Sequence, residues 1–133
     1  MGTCYAVDGK LKFKKDFVKE GLEILKEHFF RKPGVDFGFN SYSNYKNLEE
    51  VKTIEDAIKI TFVDHQGMLT IKHPNELDYN FDSGFDASYG WEEVIYDFFK
   101  YLSPCLKDGS QMTVWPDSGC TKLIIEDGKW KEL

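Results

Sequence analysis

An α+β domain, with an antiparallel sheet and two main helices packed on one of its faces, is the fold that the sequence predicts. Three observations lead there. Apolar residues recur at spacings of three and four in two segments, as on helices that bury one side. Turn dipeptides such as Asp8-Gly9, Asp108-Gly109 and Asp127-Gly128 punctuate short alternating runs, as in hairpins. The order of these segments lacks the strand–helix–strand regularity of a parallel sheet. With 133 residues, the chain suits a single domain over residues 1–133, large enough for one core without metal or disulfide staples.

Taken in order, Thr3–Val7 and Leu11–Phe13 read as two strands joined by a tight turn at Asp8-Gly9. A helix follows, capped at Asp16 or its neighbour. It carries Phe17, Val18, Leu22, Leu25 and Phe29 on one stripe and ends at Pro33-Gly34. Residues 34–47 are rich in Gly, Asn, Ser and aromatics and suit either a strand at Val35–Phe39 or a long loop. Thr53-Ile-Glu-Asp resembles a capping box with Asp in place of Glu, and predicts a short helix near Ile54–Ala57. Ile58, Ile60 and Phe62 alternate with Lys59, Thr61 and Val63, predicting a strand that turns at Asp64–Gly67 into a second strand, Met68–Lys72.

Leu77, Tyr79 and Phe81 alternate with Asp78, Asn80 and Asp82, which gives a strand one apolar and one polar face. Ser83–Gly90 reads as a loop. The second main helix carries Trp91, Val94, Ile95, Phe98 and Leu102 on one stripe, and Ser103-Pro104 stops it. Glu92 and Glu93 lie in its first turn, at the positive end of the helix dipole. Strands at Gln111–Trp115, Thr121–Ile125 and Lys129–Lys131 close the chain through turns at Pro116–Gly119 and Asp127-Gly128.

Charge is unevenly spread. Residues 75–99 hold seven acids (Glu76, Asp78, Asp82, Asp86, Glu92, Glu93 and Asp97) and no Lys or Arg, whereas the rest of the chain is nearly balanced. This 25-residue stretch therefore accounts for the net charge of −6. Tyr79, Tyr89 and Tyr96 are among the aromatics threaded through it. An ordinary strand and helix would show their wet sides here. A single-sign face is also what steering toward a basic partner requires, with the tyrosines as partial anchors. Overall acidity argues against binding nucleic acid or an anionic membrane directly. No apolar run is long enough to span a bilayer and the first residues lack a signal-peptide pattern, so a cytoplasmic protein is expected.

Catalytic and metal signatures do not assemble. Asp78, Asn80 and Asp82 imitate the opening of a calcium loop, but Ser83 replaces its glycine and Tyr89 its bidentate Glu. The three histidines and three cysteines lack zinc spacing. Cys105 sits at a helix C-terminus, where the dipole disfavours a thiolate, and Cys4 and Cys120 read as small buried hydrophobes. No phosphate loop, nucleophile elbow or dinucleotide fingerprint is present, so no cofactor is expected.

The runs Trp91-Glu92-Glu93-Val94, Leu102–Ser110 and Ile125–Trp130 resemble a group of small, mostly uncharacterised acidic proteins of bacteria and their phages and mobile elements. The resemblance covers the last third of the chain and rests on turn chemistry. It implies an accessory role, such as an immunity protein or an inhibitor of host defence, some of which neutralise the basic nucleic-acid channel of a target.

The expectation is thus a non-catalytic binding protein. Its acidic face (Asp78, Tyr79, Asp82, Asp86, Tyr89, Glu92, Glu93, Tyr96 and Asp97) would block a basic surface on a protein partner such as a nucleic-acid-binding protein. The alternative is a small enzyme or ligand-binding domain with a pocket walled by Phe37, Phe39, Tyr42, Tyr45 and Trp115. A third reading is an assembly subunit that associates through an uncovered sheet face.

Overall fold

In the computed structural model, residues 2–31, 48–62, 69–88, 91–116 and 119–133 are described. They form an α+β domain. Strand β1 (Gly2–Lys12) leads into helix α1 (Val18–Ile24), continued by a π-helical turn at Leu25–Phe29. After a 3₁₀ turn (Leu48–Glu50) come α2 (Ile54–Thr61), β2 (Thr70–Lys72) and β3 (Asp78–Ser88). Helix α3 (Trp91–Leu102) runs into a 3₁₀ turn at Ser103–Cys105, and β4 (Gln111–Trp115), β5 (Thr121–Glu126) and β6 (Lys129–Glu132) follow. All neighbours in the six-stranded sheet, ordered β2-β3-β1-β4-β5-β6, are antiparallel.

The pleat divides this sheet into two faces. Tyr5, Val7, Leu11, Phe81, Phe85, Met112, Val114, Leu123 and Ile125 are buried beneath the helices. Phe62 is the hub of the core, with ring centroids 4.7 Å from Phe81 on the sheet and 5.2 Å from Phe98 on α3. Phe29 meets Phe98 edge-on at 5.6 Å. The opposite face carries Cys4, Ala6, Asp8, Lys10, Asp82 and Asp86, all exposed.

The Asp8-Gly9 dipeptide is not a turn. β1 runs straight through it, paired with β3 from Gly2↔Ser88 to Lys12↔Asp78. Gly9 faces the core, where a Cβ would lie 2.3 Å from the Phe81 ring, so the glycine admits an aromatic ring rather than a bend. The predicted strand over Ile58, Ile60 and Phe62 is helical instead. Ile54, Ala57, Ile58 and Thr61 are buried at the three-and-four spacing of one helix face. Thr53 and Asp56 form the reciprocal capping box that starts it. Consequently β2 pairs with β3, not with a preceding strand.

Ser83–Ser88, expected as loop, extends β3, with Ser83 and Phe85 facing the core. The N-cap of α1 is the neighbour of Asp16, Phe17, which makes no side-chain capping bond, while Asp16 itself adopts a positive φ of 68° just ahead of it. The predicted helix end at Pro33-Gly34, the strand or loop at 34–47 and the turn at Asp64–Gly67 lie outside the described residues. The C-terminal turns follow their chemistry. Asp127 (φ 55°) and Gly128 (φ 77°) are both left-handed, as a two-residue hairpin turn of type I′ requires. Their amides donate to the Asp108 carboxylate, each at 3.0 Å, which ties this turn to the one before β4.

Candidate functional site

The residues of the acidic stretch are divided between the two sides of the sheet. Asp78, Asp82 and Asp86 alternate along β3 with inward-facing residues and therefore share the uncovered face. Asp82 and Asp86 are exposed and stand about 13 Å apart, at four strand steps. Asp78 is half-buried, accepts from the Asn75 amide at 3.0 Å and lies opposite Lys12. Tyr79 points to the other side, edge-on to Phe13 at 5.5 Å and to His73 at 4.7 Å. Its phenol pKa is raised, first by burial and then by the nearby Glu55 carboxylate.

Glu92, Glu93, Tyr96 and Asp97 belong to α3, on the helix side. Glu92 is engaged rather than free: the Tyr5 hydroxyl, in a side chain only 1% exposed, donates to it at 2.6 Å. Tyr96 is half-buried with its pKa raised. Burial is the main cause, and Glu92, Glu93 and Glu132 add to it against a hydrogen bond with the Thr121 side chain. Glu93 is exposed and Asp97 half-buried. Tyr89 lies outside the described residues. The chain thus gathers the β3 aspartates on one surface and the α3 acids on another.

One residue that sequence reasoning missed joins the first group. Asp8 on β1 lies directly opposite Asp82 on β3. Only the β1–β3 register brings them together, and the hairpin expected at Asp8-Gly9 hid it. The available signal was the alternation of Tyr5, Val7, Gly9 and Leu11, which continues across the supposed turn without a break.

Rows across the uncovered face follow from the register. One row runs Thr70, Asp82, Asp8, Thr113, Lys122. The next, toward the end of β1, runs Lys72, Asn80, Lys10, Gln111, Ile124, Lys131. On the other side of the aspartates, Gly84 and Ala6 form a low floor beside Trp115, which is 42% exposed, with Asp86 and Cys4 beyond them.

Among the described residues, no group of three or more His, Cys, Asp or Glu is placed to hold a metal ion. None of the three cysteines forms a disulfide. Cys105 is buried, and burial above all, with Glu20 adding to it against Lys14, raises its thiol pKa away from reactivity. Cys4 and Cys120 are exposed, contrary to the expectation of buried hydrophobes, because Cys4 falls on the uncovered face and Cys120 just ahead of β5. Of the five aromatics in the alternative pocket, Phe37, Phe39, Tyr42 and Tyr45 lie outside the described residues, and Trp115 stands on the uncovered sheet face. No helix among the described residues is long and apolar enough to cross a membrane. Set against known protein families, curated proteins and solved structures, the chain matches none of them.

Proposed function

We propose that this is a non-catalytic binding protein whose acidic sheet face covers a basic surface of a protein partner, blocking it in the manner of an inhibitor or immunity protein. The observation that carries the reading is the Asp8–Asp82 pair. Like charges directly opposite on a sheet are destabilising, on a scale of about 0.2–1 kcal/mol, and neither aspartate has a lysine across from it. A partner's Arg or Lys placed over the pair would turn that repulsion into attraction. Trp115 supports the same reading, since an exposed indole beside a floor of Ala6 and Gly84 is the kind of anchor on which interfaces concentrate their energy. The footprint centres on Asp8, Asp82, Asp86 and Trp115, because Lys10 and Lys72 begin one row away.

The test is a tagged pull-down from native cell lysate at low and moderate salt, with three proteins compared after their melting curves are recorded. Wild type is expected to capture a basic protein that salt releases. Asp8→Asn/Asp82→Asn/Asp86→Asn should lose that capture while melting at or above the wild-type temperature. Glu93→Gln/Asp97→Asn, on the helix side, should retain it. Equal capture by wild type and the triple variant would refute the reading.

A further inference from the structure

The uncovered sheet face is electrostatically two-ended, and this carries an inference beyond the partner-binding role, although the two share the acidic end. Toward the start of β1 the face presents Asp8, Asp82 and Asp86, with Lys122 at the β5 end of the Asp82–Asp8 row. Toward its end it presents Lys10 and Lys72, beside Lys12, which lies opposite Asp78, and Lys131, which is paired with Glu126. We propose that a second copy of this chain docks here, face to face, about a two-fold axis that lies in the interface and runs across the strands. Such an axis reverses the strand direction of one copy relative to the other. It therefore sets the acidic end of each copy over the lysine end of its mate. An axis along the strands would stack like on like and is disfavoured. Because the contact is isologous, every favourable pair occurs twice.

Size sets the strength. Six strands at about 4.8 Å spacing and about six residues of strand length give a face of about 24 Å by about 20 Å. Two copies would bury about 1,000 Å² in total, the lower limit for a specific interface. With exposed ion pairs as its main attraction, the dimer is reversible, concentration-dependent and weakened by salt. Dimerisation hides Asp8 and Asp82, so a basic partner and the second copy compete for the same surface.

Sedimentation velocity over a concentration series tests this with wild type, Asp8→Lys/Asp82→Lys, Lys10→Asp/Lys72→Asp, and an equimolar mixture of the two variants. Wild type should show a monomer–dimer equilibrium that shifts to monomer as salt rises, an outcome that needs no variant. Each variant alone should dimerise about tenfold more weakly, as expected from exposed pairs lost twice over. The mixture should restore dimer as a heterodimer, since one variant face is then basic and the other acidic. A wild-type monomer at every concentration, a dimer indifferent to salt and to both variants, or variants that stay apart when mixed would each overturn the proposal. Its failure stays distinct from failure of the partner-binding reading, which predicts that Lys10→Asp/Lys72→Asp still captures the basic partner.

Discussion

A Cβ on Gly9 would stand 2.3 Å and 2.4 Å from two carbons of the Phe81 ring, too close for either to remain in place. Gly9→Ala should therefore cost about 1–3 kcal/mol, the usual range for overpacking a core. Chemical denaturation reads the loss, and Phe81→Leu in the same chain should recover part of it as a non-additive coupling. Thr61 presents the opposite case. Its side chain is fully buried on α2 and its Oγ1 has no hydrogen-bond partner among the described residues. Valine keeps the shape and removes the unsatisfied hydroxyl, so Thr61→Val should raise stability by about 1 kcal/mol, seen as a higher melting temperature. Neither feature can be read locally. A glycine beside an aspartate is the commonest hairpin signal, and only the ring packed on Gly9 shows which of its two uses applies here.

Among the elements, α2 shows how two periodicities can share one run of residues. Ile58, Ile60 and Phe62 satisfy a period of two, yet Ile54, Ala57, Ile58 and Thr61 satisfy a helical stripe, and Thr53 upstream decides between them. Its hydroxyl accepts from the Asp56 amide at 3.1 Å, while the Asp56 carboxylate accepts from the Thr53 amide at 3.2 Å. Thr53→Ala should cost about 1 kcal/mol, measured by equilibrium denaturation, with helix content falling first in this segment. Local signals were enough for α3, β4, β5 and β6, whose boundaries follow from an apolar stripe and from turns at Asp108-Gly109 and Asp127-Gly128. They failed for β1 and for the second half of β3, which each other's pairing holds extended. The candidate face divides in the same way. Asp82 was legible as a wet residue from alternation alone, whereas Asp8 became its neighbour only through the register.

At the scale of the whole molecule, the phenols of Tyr79 and Tyr96 set an alkaline limit on stability. Both pKa values are raised, chiefly by burial and further by neighbouring carboxylates. A folded-state pKa above the unfolded value of about 10 means that folding favours the protonated phenol. That contribution is complete below about pH 10 and is lost as pH climbs through the raised values. Melting curves from neutral to alkaline pH, followed with phenolate absorbance, should show this decline. Tyr96→Phe should make it shallower, and an unchanged slope would assign the alkaline loss elsewhere.

The position of β1 has a further consequence, in time rather than in space. It is made before the other five described strands, yet it lies inside the sheet and both its partners come late: β3 begins at Asp78 and β4 at Gln111. During synthesis its eleven residues must leave the ribosome and wait, with both hydrogen-bonding edges vacant, until more than half of the chain has followed. Closing such long loops before any ladder forms slows folding, toward the millisecond-to-second range of domains dominated by distant pairings. The waiting strand is also a segment that a chaperone could bind, and one through which a stalled or truncated chain would aggregate.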